Sequence, residues 1–165
     1  MTKTLILMRH AKSSWNHPGL DDHDRPLNKR GRRSAEALGN WLRGKGYLPD
    51  QVLCSDAIRT KETFGQLRLD ARADYLPELY RATANQILRA LSRASGDTVL
   101  LLGHNPGVSG FAQGIVVEPP EHPRFEDFPT GATLVLRFDE DSWERIKWRG
   151  GEVLDFVVPR ELLGE

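Results

Sequence analysis

Short apolar runs without polar alternation, separated by segments of helical period, point to an α/β architecture. The runs are Leu5-Ile6-Leu7-Met8, Val52-Leu53-Cys54, a weaker one around Tyr75-Leu76, and Thr98-Val99-Leu100-Leu101-Leu102. Strands buried on both faces of a parallel sheet have this pattern. The β-α-β-α-β order with right-handed crossovers then gives a three-layer α/β/α sandwich with a mainly parallel central sheet. A chain of 165 residues suits one domain over 1–165 with a core of its own.

The elements follow in order. After the first run, Asn28 can cap a helix reaching about Lys45, in which Ala35, Leu38, Trp41 and Leu42 share a face and Gly44 and Gly46 mark the end. Ser55 or Asp56 can cap a second helix running to about Leu67, and Ile87, Leu88 and Leu91 mark a third. Thr133 to Phe138 and Trp143 to Trp148 flank the polar stretch 139–142, which reads as a C-terminal β-hairpin extending one edge of the sheet. Residues 116–129, with four prolines among acidic residues, read as a surface loop.

Composition narrows the function classes. Lys+Arg 23 balances Asp+Glu 23, so the overall charge lacks the footprint of a nucleic-acid binder. No apolar run approaches the roughly 18 residues of a membrane helix. Residues 5–8 are too few for a secretory apolar segment, and the lone Cys54 cannot form an internal disulfide. A reducing, cytoplasmic location without membrane or nucleic-acid partners is expected, with a monomer as the default.

Ligands of open α/β sheets bind at the carboxyl ends of the strands. Arg9-His10 leaves the first run, and Ser55, Asp56 and Arg59 the second. Glu78 leaves the third, and Gly103-His104-Asn105-Pro106-Gly107 the fourth. Forked arginine donors suit the oxygens of a phosphate dianion. Asn105 and Pro106 look like the opening of a helix whose free N–H groups would add to an anion site. A histidine nitrogen can be a nucleophile if an acceptor holds its ring. The set reads as phosphoryl transfer through histidine. Cys54 and Arg59 are one residue too close for a cysteine-phosphatase loop, and no GxxxxGK loop is present. His17, Asp21, Asp22, His23 and Asp24 offer a weak metal pattern in a Pro/Gly loop, where adjacent Asp22 and His23 cannot easily aim at one ion. The basic run 29–33 reads as a solvated helix face.

These residues resemble a known family. Leu7-Met8-Arg9-His10-Ala11 is similar to the Arg-His-Gly signature of the histidine phosphatase superfamily, with its phosphoglycerate mutase-like fold. The string Met8 to Trp15 resembles the SixA-type phosphohistidine phosphatase branch. Arg25-Pro26-Leu27, Gly31, Ala35, Ser55 to Thr60, Glu62-Thr63, Leu76 to Tyr80, Gly103 to Gly107 and Phe128 to Ala132 follow in the family's order. Ala11 departs from the usual glycine.

The resemblance implies an α/β/α sandwich in which His10 is the nucleophile and passes through a phosphohistidine intermediate. Arg9, Arg59 and His104 would complete the phosphate pocket, Arg25 and Asp22 would lie near its mouth, and Glu78 matches the acid position of mutase relatives. No metal or other cofactor is expected. The implied substrate is phosphohistidine on a protein partner, since a histidine leaving group with a reference pKa near ~6.5 departs with little acid assistance. A broad small-molecule phosphomonoesterase of the same fold is the alternative. A non-enzymatic phosphate-binding module is a third reading, against which an intact His10 and both pocket arginines argue.

Overall fold

The computed structural model describes residues 1–165. Six strands form one sheet: β1 (Lys3–Arg9), β2 (Gln51–Ser55), β3 (Ala73–Leu76), β4 (Thr98–Gly103), β5 (Thr133–Phe138) and β6 (Glu152–Val157). Their order is β3-β2-β4-β1-β5-β6. The first four are mutually parallel, β5 runs antiparallel to β1, and β6 antiparallel to β5. The helices are α1 (Lys29–Lys45), α2 (Ile58–Leu67), α3 (Ala84–Ser92), α4 (Gly107–Ile115) and the short α5 (Pro159–Leu162).

The apolar runs are continuous because both faces of the sheet are covered. Leu5 and Leu7, Leu53, Val99 and Leu101, and Leu134 and Leu136 enter one core with Ile87 and Leu91 of α3 and Phe111 and Ile115 of α4. Their neighbours Ile6 and Met8, Val52 and Cys54, Leu100 and Leu102, and Val135 enter the other with Leu38 and Leu42 of α1 and Leu67 of α2. This strand periodicity of two places a hydrophobic side chain on each side at every step.

Strand registry sets the site. Arg9 lies opposite Gly103, and Cys54 opposite Leu102, so β1, β4 and β2 end almost level. The His10 N–H donates to the Gly103 carbonyl at 3.1 Å, which continues the ladder past β1. His10 and His104 therefore leave adjacent strands side by side. Asn28 caps α1 by accepting from the Gly31 N–H, and Gly46 closes it at φ 75. Gly31 has a second reason: a Cβ there would overlap the Lys12 carbonyl, so its absence lets the segment after β1 lie against α1.

Several local expectations need correction. The partner of β5 is β6, not 143–148. Trp143 instead opens a 3₁₀ turn, is fully buried, and donates Nε1–H to the Gly96 carbonyl at 2.6 Å. Trp148 packs edge-on against Phe111. The apolar bulk that suggested a strand anchors a connection instead. Neither Ser55 nor Asp56 caps α2, whose N-cap is Ala57; both side chains are engaged at the rim described below. The segment 116–129 is not simply surface, because Phe125 and Phe128 are buried in the α3/α4 core.

Candidate active site

His10 is buried at the end of β1. Its Nδ1 lies 2.7 Å from the Ala11 carbonyl. A carbonyl only accepts, so Nδ1 carries the proton and Nε2 keeps its lone pair. Burial, reinforced by His104, Arg9 and Arg59, pushes the imidazole pKa down to about 3 against the opposing pull of the Ala11 carbonyl. The ring is neutral at physiological pH, as a nucleophile requires.

The His104 ring centroid is 5.2 Å from that of His10. Its Nε2 lies 2.8 Å from Ser55 Oγ. That oxygen also accepts the Ala57 N–H at 3.3 Å, so the hydroxyl ties the histidine ring to the start of α2. Burial first, then Arg59, pushes the His104 pKa down to about 3.

Both arginines are fixed by backbone oxygens. Arg9 Nη1 donates to the Phe128 carbonyl at 3.2 Å, and Arg59 Nη1 donates to the Asp22 carbonyl at 2.7 Å. The buried Arg9 Nε, Arg59 Nε and His104 Nδ1 have no partner in the protein. An unpaired buried polar group costs about 1–3 kcal/mol. Finding three of them around one histidine fits a site built for the oxygens of a tetrahedral anion.

Asp22 organises this donor set. Its carboxylate accepts from Tyr80 Oη at 2.6 Å, Arg59 Nη2 at 2.9 Å and Arg25 Nε at 3.1 Å. The Tyr80 hydroxyl, followed by the arginines, holds its carboxyl far below the usual range despite the opposing effect of burial. Arg25 also donates Nη1 to Ser13 Oγ at 2.9 Å and stacks its guanidinium 3.5 Å over Trp15, whose ring is 77% exposed at the rim. Asn105 donates to the Asp127 and Phe128 carbonyls and accepts from the Ser109 N–H, so its amide is committed to the wall. The anticipated free amides of α4 are largely taken: Val108, Ser109 and Gly110 all donate within the protein.

Glu78 is placed elsewhere. It sits in a 3₁₀ turn after β3 and accepts from Arg93 Nη2 at 3.0 Å, with its side chain half exposed. Tyr80, two residues later, reaches the site instead. Cys54 donates to the Ser55 carbonyl, and burial pushes its thiol up to about 12. In the stretch weighed as a metal site, His23 faces Asp56 at 2.9 Å and Asp22 serves the arginines. No three His, Cys, Asp or Glu side chains gather into a candidate metal cluster.

Two cavities meet here. One, of roughly 280 Å³, is lined by Arg9, His10, Lys12, Ser13, Trp15, Arg25, Arg59, His104, Asn105 and Thr130. The other, of roughly 460 Å³, adds Asp22, Tyr80 and the segment 81–84 and shares Arg59, His104 and Asn105. Tyr80, Lys12, Trp15 and Thr130 were not singled out from sequence as site residues, and Ser55 was named at its strand end without a role in the site. Ser55 and Tyr80 had a usable signal, since each follows a predicted strand end.

The profile of the histidine phosphatase superfamily (branch 1) matches residues 5–80. The uncharacterized protein Rv1276c of Mycobacterium tuberculosis is 36% identical over 161 residues, covering 93% of this chain and 100% of the relative. The phosphohistidine phosphatase SixA of Escherichia coli is 27% identical over 153 residues, covering 88% of this chain and 91% of that protein. A solved structure from Nakamurella multipartitia, assigned to the SixA phosphohistidine phosphatases, superposes with a TM-score of 0.86 at 31% identity, over 96% of this chain and 97% of that one. Similarity of this extent, running from end to end through the sheet that carries both histidines, shows that the chain belongs to the histidine phosphatase superfamily, in its SixA-type branch, and is a phosphatase by class.

Proposed function

We propose that this phosphatase acts by double displacement at His10, with phosphohistidine on a protein as its substrate. The observation that carries the reading is the His10 imidazole: buried, neutral, locked through Nδ1 on Ala11, and ringed by unpartnered nitrogens of Arg9, Arg59 and His104. In the first step the Nε2 lone pair forms a bond to phosphorus, and the P–N bond of the substrate ring, protonated on its other nitrogen, breaks with its electron pair going to that ring, which leaves as neutral imidazole. Water then attacks the phosphorylated His10, releases inorganic phosphate, and returns the lone pair to Nε2. Arg9, Arg59 and His104 stabilise the charge on the transferring oxygens, where such catalysis chiefly resides.

The general acid decides the substrate class. Asp22 is held ionised by Tyr80 and two arginines, and Glu78 is paired with Arg93 at the surface. A site with a weak proton donor favours a leaving group that needs little protonation, and imidazole, with a reference pKa near ~6.5, is one while a sugar alkoxide is not. The phosphohistidine activity named for the SixA protein of Escherichia coli supports the same choice.

The chain acts as one domain over 1–165, without a metal cofactor, as a cytoplasmic monomer; no helix is long and apolar enough to cross a membrane. The test compares kcat/KM for a phosphohistidine protein with that for sugar phosphates, with and without a chelator. A preference of a hundredfold or more for the P–N substrate, unchanged by the chelator, is the expected result. A preference for sugar phosphates would replace this reading with the phosphomonoesterase, and loss of activity in chelator would overturn metal independence.

A further inference from the structure

Beside the His10 cavity lies another of roughly 200 Å³, lined by four cationic side chains from four parts of the fold. Lys12 follows β1, Arg30 is in the first turn of α1, Arg124 precedes β5, and Arg160 is in α5. Ser34 and Thr130 add hydroxyls, and Lys12 and Thr130 line the His10 cavity as well, so the two spaces share a wall.

Only two of these cations have an acidic partner: Arg124 pairs with Asp127 at 2.9 Å and Arg30 with Glu165. In a chain whose charges balance overall, this is a local excess. Arg30 engages Glu165 through both terminal nitrogens, and Arg33 and Arg160 add to the field holding that carboxyl below its ordinary range. A peptide-borne carboxylate is therefore the group this surface already receives.

We propose that the cavity is a docking subsite for an acidic segment of the protein substrate. Carboxylates near the substrate's phosphohistidine would seat on Arg30, Arg124 and Arg160 while the phosphoryl group enters the adjoining His10 cavity, with Glu165 as an internal competitor. The proposal rests on the protein-phosphohistidine reading, and it adds the chemistry by which the partner is chosen. Forked guanidinium–carboxylate contacts supply orientation, and the charge cluster steers encounter in a salt-dependent way.

The test uses a fluorescein-labelled hexaglutamate peptide, followed by anisotropy at low salt on the full chain. Arg30→Glu combined with Arg160→Glu should weaken peptide binding at least about tenfold, and Glu165→Gln should tighten it a few-fold. The same variants should keep kcat/KM on the small P–N donor phosphoramidate within about twofold; Arg160 is exposed and Arg30 half-buried with its guanidinium at the surface. Absent peptide binding, or binding indifferent to the reversals, would overturn the subsite. Pyrophosphate bound more tightly than the peptide, and lost in the same variants, would overturn it too by assigning the cavity to a second phosphoryl group. Peptide binding that follows the charges in a protein inactive on every P–N donor would leave the subsite standing and reject the catalytic reading instead.

Discussion

Two arginine–carboxylate pairs, one at the floor of the site and one at the nearby sheet edge, have almost the same length and different surroundings. Arg59 meets Asp22 at 2.9 Å with the two side chains 7% and 37% exposed, whereas Arg93 meets Glu78 at 3.0 Å with 61% and 50% of the two side chains exposed. Exposed pairs contribute little because water and salt screen them. The floor pair is reinforced by Tyr80 and Arg25, and it aims a guanidinium beside two histidines. Distance alone does not distinguish a working charge from a surface one; burial and the number of partners do.

Arg59→Ala should have the largest effect on this comparison. It removes a phosphate donor and leaves Asp22 short of a partner, and kcat/KM on a P–N substrate should fall by about 10²–10³. An effect under tenfold would place the two pairs on equal footing.

The floor should also govern acid stability. His10 and His104 have folded pKa values of about 3 against an ordinary 6.5, so the unfolded chain binds more protons below that value. Their contribution to stability is present above pH 6.5 and is lost as pH falls toward 3, by up to about 1.4 kcal/mol per pH unit for each histidine. Urea unfolding across this range should show the slope, and His104→Asn should flatten it; an unchanged slope would show that the histidine is not desolvated.

Tyr80→Phe sharpens the contrast further. It deletes the shortest hydrogen bond to Asp22 while keeping the ring, and should cost about three- to tenfold in kcat/KM. Glu78→Gln should have the smallest effect, under twofold on a phosphohistidine substrate. A loss of a hundredfold there would make Glu78 the general acid after all.

Much of this was legible in the sequence because strand ends speak directly. The runs at 5–8 and 99–102 are apolar at every position since both faces are buried, and the residues leaving them, Arg9-His10 and His104, meet at one rim. The edge strand β6 was missed for the opposite reason: residues 152–157 are half exposed and mixed in character, while Trp143 and Trp148 offered a stronger apolar signal, which in Trp143 serves core anchoring and in Trp148 covers Phe111 from the surface. Backbone acceptors leave no mark in composition, so the carbonyls of Ala11, Phe128 and Asp22 that orient His10, Arg9 and Arg59 were invisible. Ser55 shows a third limit, since one hydroxyl that reads as a helix cap instead orients a histidine 49 residues away.

The central claim is that His10 Nε2 carries the phosphoryl group during turnover. The most direct measurement quenches the enzyme without acid during turnover of a ³²P-labelled P–N donor and compares the parent with His10→Ala. Label that is acid-labile, alkali-stable and confined to the parent, together with a loss of at least about a thousandfold in turnover by the variant, is the predicted result. A parent that turns over without ever carrying label, or a His10→Ala variant that carries it equally, would contradict the account.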